Sequence, residues 1–513
     1  MFRDPARLAS VRILPCAVLV VLLVPAGASR ANPNERARTE SQGQLQRAVA
    51  VNRLSMQLTN CGWFATDLVL WQGGLEFPRG SGKILGYAGG LWVSGLASDS
   101  LRTAITEYAT EFVPGPGTPG GPGLDTLRHR VYSVSRGDTA GWGAWMACAV
   151  PLGAPVDSVG TRPGLIGDQT LWTVYTDAGV TLQVYGGGLR TPVGLEVQLT
   201  AYAFNRGPVL QDVVFLHYRL VHRGSEALDS AYVGLWYDAD VRTAATPAGS
   251  DSSLDLGYVY RNSDDVLYGA AGPATGVMLL RGPRDAGTRQ ALRAGSIVGY
   301  PNGADPHSPA MYDATLRGRY PSGSFMIDPT TSLPTQYYAW GDPVTGSGWL
   351  MPDVVHPKLV LGAGPFRFAP GDTQIVDAAI VVGQGTDRAG SIVAMRDNAR
   401  EARAAFNSGF RFVPEPPEVV PRVTPLVAWP SPSLGTVQFD VLVPANGARL
   451  ELDILDISGR RVRRIADGWR PGGSSQASWD GAADGGRTAP AGLYFARARV
   501  AGRVAGARIV MIR

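Results

Sequence analysis

Apolar and polar residues alternate with a period of two along most of the chain, and a helical period is confined to one stretch. Leu54, Met56 and Leu58 alternate first. Short runs follow at Asp67-Leu68-Val69-Leu70-Trp71 and Gly90-Leu91-Trp92-Val93, each punctuated by glycine. Between Leu171 and Asp240 the pattern strengthens into four runs, 171–175, 195–202, 213–221 and 231–237. Turn signals separate them at Asn205-Arg206-Gly207-Pro208 and Arg223-Gly224-Ser225. Ile375 to Val382 is a further strand. Short, regularly spaced strands with such turns predict an antiparallel sandwich or barrel. The helical period occurs at Ser391 to Phe406. There Ile392, Met395, Ala399, Ala402 and Phe406 form one stripe, and Arg396, Asp397, Arg400, Glu401 and Arg403 take the other side. Such a stripe docks on a core.

After that helix, Pro414, Pro416, Pro417, Pro421 and Pro425 predict an extended spacer. Alternation then resumes at Val437, Phe439, Val441 and Val443, and again at Leu450, Leu452 and Ile454. Tyr494 to Val500 and Arg508 to Ile512 close a final sheet. About 85 residues of this kind fit an immunoglobulin-like sandwich. The fold class is therefore all-β: a large sandwich-like middle region with one late helix, then a small C-terminal immunoglobulin-like sandwich. The expected division is a signal peptide at 1–28, a loose N-terminus at 29–49, the middle region at 50–412, possessing one or two subdomains, the spacer at 413–425 and the terminal domain at 426–513.

Composition supports this picture. A length of 513 residues exceeds one ordinary core. Sixty-five glycines and 38 prolines suit strands joined by turns. The net charge is only +4, Lys83 and Lys358 are the sole lysines, and the arginines are scattered. That argues against a nucleic-acid footprint, which needs a basic stripe. Arg3, Arg7 and Arg12 precede the apolar run Ile13 to Val24 and the small residues Ala26-Gly27-Ala28. This is the pattern of a secretory signal peptide cut after Ala28. The run is shorter than the roughly 20 residues of a membrane span, and no later stretch suits a transmembrane segment.

The terminal region carries several motifs in order. Trp429-Pro430-Ser431-Pro432 opens it. Leu452-Asp453-Ile454-Leu455-Asp456 leads through Gly459 and Arg460 to Arg461-Val462. Trp479-Asp480-Gly481 and Asp484-Gly485-Gly486 follow, and Ala491-Gly492-Leu493-Tyr494-Phe495 ends the series. Together these resemble the C-terminal sorting domains of type IX secretion and the related immunoglobulin-like domain of FlgD. Trp429-Pro430-Ser431-Pro432 stands where that family usually has Asn-Pro-Phe-Asn, and arginines stand near the end where lysines are common. The resemblance implies translocation across an outer membrane, with secretion machinery as partner and a secreted or cell-surface location. A plain structural FlgD-like domain is the rival reading. The middle region is similar, more loosely, to uncharacterised exported proteins at Gly89–Val93, Gly234–Asp240 and Gly364–Asp372.

Candidate chemistry is sparse. Neither HExxH nor G-x-S-x-G occurs. Phe77-Pro78-Arg79-Gly80-Ser81-Gly82-Lys83 lacks the first glycine and the hydroxyl residue of a phosphate-binding loop, so it reads as a turn. His217 and His222 are an odd number of positions apart on one strand and face opposite ways. Asp238, Asp240, Asp251 and Asp255 are candidate calcium ligands, since calcium takes several carboxylate oxygens; a solvated acidic loop is the alternative. Cys61 and Cys148 either bridge or remain two separate buried thiols. Glu76, Glu107, Glu111 and Glu196 are available to a glycosidase, which needs two carboxylates about 5 to 9 Å apart, but their sequence spacing pairs none of them. The many tryptophans are core residues or a sugar-stacking platform. Two functions follow: a non-enzymatic exported surface protein whose middle region is structural or binds a polysaccharide or protein, or a secreted hydrolase of such a substrate. No catalytic residue or cofactor other than calcium is expected. A deep cleft with convergent carboxylates would favour the second.

Overall fold

The computed structural model describes residues 45–117, 128–178, 191–205, 210–239, 246–264, 266–351, 357–411, 426–443, 447–501 and 503–512. The expected signal peptide, Asp240, the spacer at 413–425 and residues 118–127 lie outside the described residues.

The protein is all-β, as its alternation predicts. Two antiparallel sheets form the large sandwich. The first runs in the order Ser296–Tyr300, Lys358–Phe368, Leu228–Asp238, Ala88–Ala97 and Ser100–Ile105. The second has nine strands. Its central members are Gln169–Thr176, Leu195–Ala203, Val213–His222, Thr373–Gly383 and Ala274–Arg281, paired in that order. Observed strands match the runs expected at 171–175, 195–202, 213–221, 231–237 and 375–382 to within three residues at each end. The two sheets share one hydrophobic core. Val197, Leu199, Leu216 and Tyr218 from one meet Val233, Leu235, Ile297 and Leu361 from the other. Alternation places these residues inward. Tyr237 and Thr275 also hydrogen bond across the core at 3.1 Å.

Both outer faces are covered in part by helices. Arg388–Asn407 is the predicted helix, capped by Asp387, whose side chain accepts from Gly390 N. Its Ile392, Met395, Ala399 and Ala402 pack on Val213, Phe215 and Val381 of the nine-stranded sheet. A second helix, Pro309–Leu316, lies on the five-stranded sheet. The sequence pattern misses it because it has only two turns and Tyr312, Thr315 and Leu316 are buried. Its seat requires glycine: a Cβ at Gly362 would lie 2.0 Å from the Leu316 carbonyl oxygen. Gly234 is equally confined, with Leu316 2.5 Å away.

The expected strand Asp67 to Trp71 is instead a tight turn between Thr66–Asp67 and Gln72–Gly73. Asp67 Oδ1 accepts from the backbone N–H groups of Val69 and Leu70 at 2.9 and 3.1 Å. This local capture offers the backbone an alternative to a sheet ladder. It leaves Leu70 and Trp71 exposed.

Residues 426–511 build a separate cluster between a three-stranded and a four-stranded sheet. Trp479 is fully buried there, packs edge-on against Tyr494 at 5.2 Å, and donates from Nε1 to Ala482 O at 2.8 Å. Tyr494 donates to Pro490 O at 2.8 Å. Gly459 and Gly481 take φ values of +82° and +80°, where a side chain would be strained. Asp456 accepts from Ser458 N and Arg460 N around Gly459, and Asp480 accepts from Ala482 N beyond Gly481. Gly492 begins the strand Gly492–Val500, whose Ala496, Ala498 and Val500 face the core. These motif residues shape turns and core.

Candidate functional site: a carboxylate-lined cleft

Five strand ends meet at one edge of the five-stranded sheet. Ala88 and Lys358 begin their strands, and Asp238, which pairs with both in register, ends its own. Tyr300, opposite Lys358, ends a fourth strand, and Asn302 and Asp305 follow it. Glu107 and Tyr108 follow the fifth strand, Ser100–Ile105. The Thr66–Gly73 turn closes the other side. Between them is a cleft of about 620 Å³, lined by Glu107, Tyr108, Asp238, Asp305 and Lys358 together with Trp63, Trp71 and Tyr87.

The loop carrying Glu107 is held rigidly. Thr106 and Thr110 side chains meet at 3.0 Å, Glu111 Oε2 accepts from Ile105 N at 2.9 Å, and Trp92 Nε1 donates to Thr106 O at 2.9 Å. The Glu107 backbone carbonyl accepts from Trp63 Nε1. Its side chain is completely buried at the cleft floor. Oε2 accepts from Tyr312 at 3.0 Å, whereas Oε1 has no hydrogen-bond partner among the described residues. Burial pushes the carboxyl up to about 8. Asp305 and Asp238 push the same way, against the Tyr312 hydroxyl and Lys358. Glu107 is thus protonated at neutral pH, because a buried carboxylate loses its hydration without gaining an equal partner.

Asp238 is 6% exposed and accepts a 2.6 Å hydrogen bond from Tyr108. That phenol has its pKa raised by burial and by Asp238, so it serves as a donor. Lys358 is only 1% exposed. It donates to Asn302 Oδ1 at 2.6 Å and lies 3.6 Å from Asp305 Oδ1 and 5.7 Å from the Tyr108 ring centroid. The cleft therefore holds three carboxyl groups against one ammonium. At the mouth, Trp71 is 76% exposed with φ at +50°, an unusual backbone state for a bulky residue.

The three candidate calcium ligands among the described residues, Asp238, Asp251 and Asp255, are not brought together. Asp238 lines the cleft. Asp251 and Asp255 belong to a hairpin of the other sheet, and Asp240 lies outside the described residues. Asp251 Oδ1 accepts from Ser253 and Leu254. Asp255 Oδ2 is held by Arg293 at 3.0 Å and Arg403 at 3.1 Å, so two arginines already compensate its charge. Among the described residues, no cluster of three or more His, Cys, Asp or Glu is arranged to hold a metal. The bridge between Cys61 and Cys148 is not formed; both thiols are free. Cys61 sits beside Thr59, 3.8 Å from its hydroxyl, and burial pushes its thiol up to about 12. Cys148 lies in the helical turn Trp145–Ala149 against a different cluster with Trp172. His217 and His222 do face apart. His217 pairs with Asp377 at 2.7 Å, and His222 packs on Phe368.

The sequence named Glu107 and Asp238 for separate reasons and did not single out Asp305 or Lys358. One signal was legible. A lysine at position 358 is unusual in a chain whose positive charge is almost all arginine.

Residues 431–502 match the FlgD Ig-like domain family. No curated protein matches the chain in sequence. In structure, 62% of the chain is similar to 34% of a polysaccharide lyase, at 9% identity and a TM-score of 0.17. It is also similar, over 67% of this chain and 31% of the other, to dimeric latent PorU from Porphyromonas gingivalis, at 11% identity and a TM-score of 0.16. The chain thus spans about a third of the length of each. Likenesses at this level carry no argument about function. Among the described residues, no helix is long and apolar enough to cross a membrane.

Proposed function

We propose that this is an exported β-sandwich protein that binds a saccharide in the cleft at the edge of its five-stranded sheet. Its FlgD-like Ig domain acts as a sorting or adaptor module. The observation that supports the reading is the convergence of polar Glu107, Asp238, Asp305 and Lys358 with aromatic Trp63, Trp71, Tyr87 and Tyr108 in one cleft. Saccharides present hydroxyl groups at their edges and flat C–H faces. Recessed carboxyl groups meet the first and aromatic rings the second. Trp71 stands exposed at the rim, where its ring is available to a sugar face.

The test is a panel of neutral, amino-bearing and uronate oligosaccharides, read by calorimetry against the intact protein. Binding of at least one class, weakened about tenfold or more by Trp71→Ala, is expected. Binding to none overturns the reading. For the terminal module, a chain ending near Pro414 is expected to fold but to lose its surface location in the native host. Normal surface display of that truncation would refute the sorting role.

A hydrolytic second reading has one observation in its favour. Glu107 holds a proton at neutral pH, as a general acid must. It predicts new reducing ends from a bound oligosaccharide, absent with Glu107→Gln.

A further inference from the structure

We infer that the cleft selects an amino-bearing saccharide, whose ammonium group faces the carboxyls of Glu107, Asp238 and Asp305. This rests on the saccharide reading above and names the class of sugar.

The argument begins with charge. Among the described residues the one cation lining the cleft, Lys358, is engaged by Asn302 at 2.6 Å and Asp305 at 3.6 Å. With Glu107 protonated, Asp238 and Asp305 still outnumber Lys358 among the described lining residues, so an anionic sugar would add charge of the sign already in excess. An ammonium would do the reverse. Glu107 Oε1 is buried and has no hydrogen-bond partner among the described residues, and Asp305 Oδ1 has only its 3.6 Å ion pair with Lys358. Glu107 is wholly buried and its Oε1 is left unpaired, a polar group that costs free energy until a ligand reaches it and that becomes an acceptor when the acid proton leaves. A neutral hydroxyl can supply one donor. An ammonium supplies three and brings the charge that the cleft lacks. The rings of Trp71, Trp63 and Tyr87 around the same space favour a sugar over a bare alkyl amine.

The groups around Glu107 make binding and proton release linked events. Tyr312 faces it from the short helix. Tyr108, Asp238, Asp305, Lys358 and Tyr300 act on it, or it on them, from the surrounding strand ends. A cation entering this set favours the carboxylate form of Glu107. Its proton then leaves to solvent, and the carboxylate balances the incoming charge. A neutral sugar leaves that proton in place.

The experiment uses the full chain and four probes at about pH 6, below the usual amine range: a glucosamine tetrasaccharide, its N-acetylated counterpart, tetragalacturonate and tetralysine. Calorimetry in two buffers of different ionisation enthalpy reads affinity and proton release together. The glucosamine oligomer is expected to bind about tenfold or more tightly than the acetylated one, with net proton release. Glu107→Gln should abolish the proton release and most of the preference. Asp305→Asn should reduce the preference alone, and thermal melts confirm that each variant is folded. Equal binding of the acetylated and free-amine oligomers overturns the inference and leaves the saccharide reading standing. Tightest binding of galacturonate also overturns it. Tetralysine binding as tightly as the sugar overturns the saccharide specificity. Binding of none removes both readings.

Discussion

The cleft and the outer face of the C-terminal four-stranded sheet use the same residue types to opposite ends. On the C-terminal sheet every acidic residue of the ladder has a guanidinium. Asp453, 3% exposed, is held by Arg464 at 2.8 Å and Arg497 at 3.3 Å. Asp467 is held by Arg449 at 2.7 Å and Arg464 at 3.0 Å. Burial works against ionisation at Asp453, yet the two arginines outweigh it and keep its carboxyl below the usual range. In the cleft, burial outweighs every partner, and Glu107 rises to about 8. A compensated carboxylate on a sheet face is structural. One left short of charge beside a void is poised for a ligand, which is the general basis for reading perturbed groups as functional candidates.

Substitutions can break this comparison, and the largest effect should come from the core that carries the ladder. Trp479→Ala removes a fully buried ring and its hydrogen bond to Ala482. It should destabilise the C-terminal module by about 3–5 kcal/mol, seen in calorimetry as loss of one transition. If the expected division at 413–425 marks independent units, the transition of the middle region should stay in place.

Glu107→Gln should act with the opposite sign. A carboxyl raised in the folded state binds its proton there while the unfolded chain has released it. Stability therefore falls as pH rises from the ordinary glutamate range, about 4.3, to about 8. The glutamine variant lacks this slope. It should be more stable than the parent at pH 8 by about 1–3 kcal/mol, while the two converge at about pH 4. Melting curves across that window decide it, and a parent with no slope would remove the contrast between the two regions.

Asp453→Ala should cost less, about 1 kcal/mol, because both arginines keep a third of their side-chain surface in water. Here the pH dependence reverses. A depressed carboxyl contributes stability above the unfolded aspartate range, about 3.9, and loses it as pH falls through its lower folded value. The parent's acid-side loss should be shallower in the variant. Smallest of all, Trp71→Ala should leave stability within about 0.5 kcal/mol, since the ring is 76% exposed. Its effect should fall on saccharide affinity alone.

Much of the scaffold was legible in the sequence, because its signals are local. Strand alternation at 195–202 and 213–221 marks which residues turn to the core between the sheets, whatever the neighbouring strand. The stripe from Ile392 to Ala402 places a helix against a core that lies outside it. The Gly459 and Trp479-Asp480-Gly481 turns are written in consecutive residues. Local hydrogen bonding also misled: Asp67 captures the backbone of Val69 and Leu70, and an apolar run becomes an exposed turn. The short helix Pro309–Leu316 escaped because its seat depends on glycines at 234 and 362, far away in the chain.

By itself, then, the sequence determined the all-β class, the late helix and the turn chemistry of the terminal module. Each follows from backbone periodicity and from residues that act on their immediate neighbours. Only the tertiary structure decided the cleft, because strand register sets Asp238 opposite both Ala88 and Lys358 and brings the Glu107 loop to the same sheet edge. It also separated Asp238 from Asp251 and Asp255 by placing them in different sheets. Coulomb and desolvation energies depend on distance and burial in space, and neither quantity is encoded in spacing along the chain.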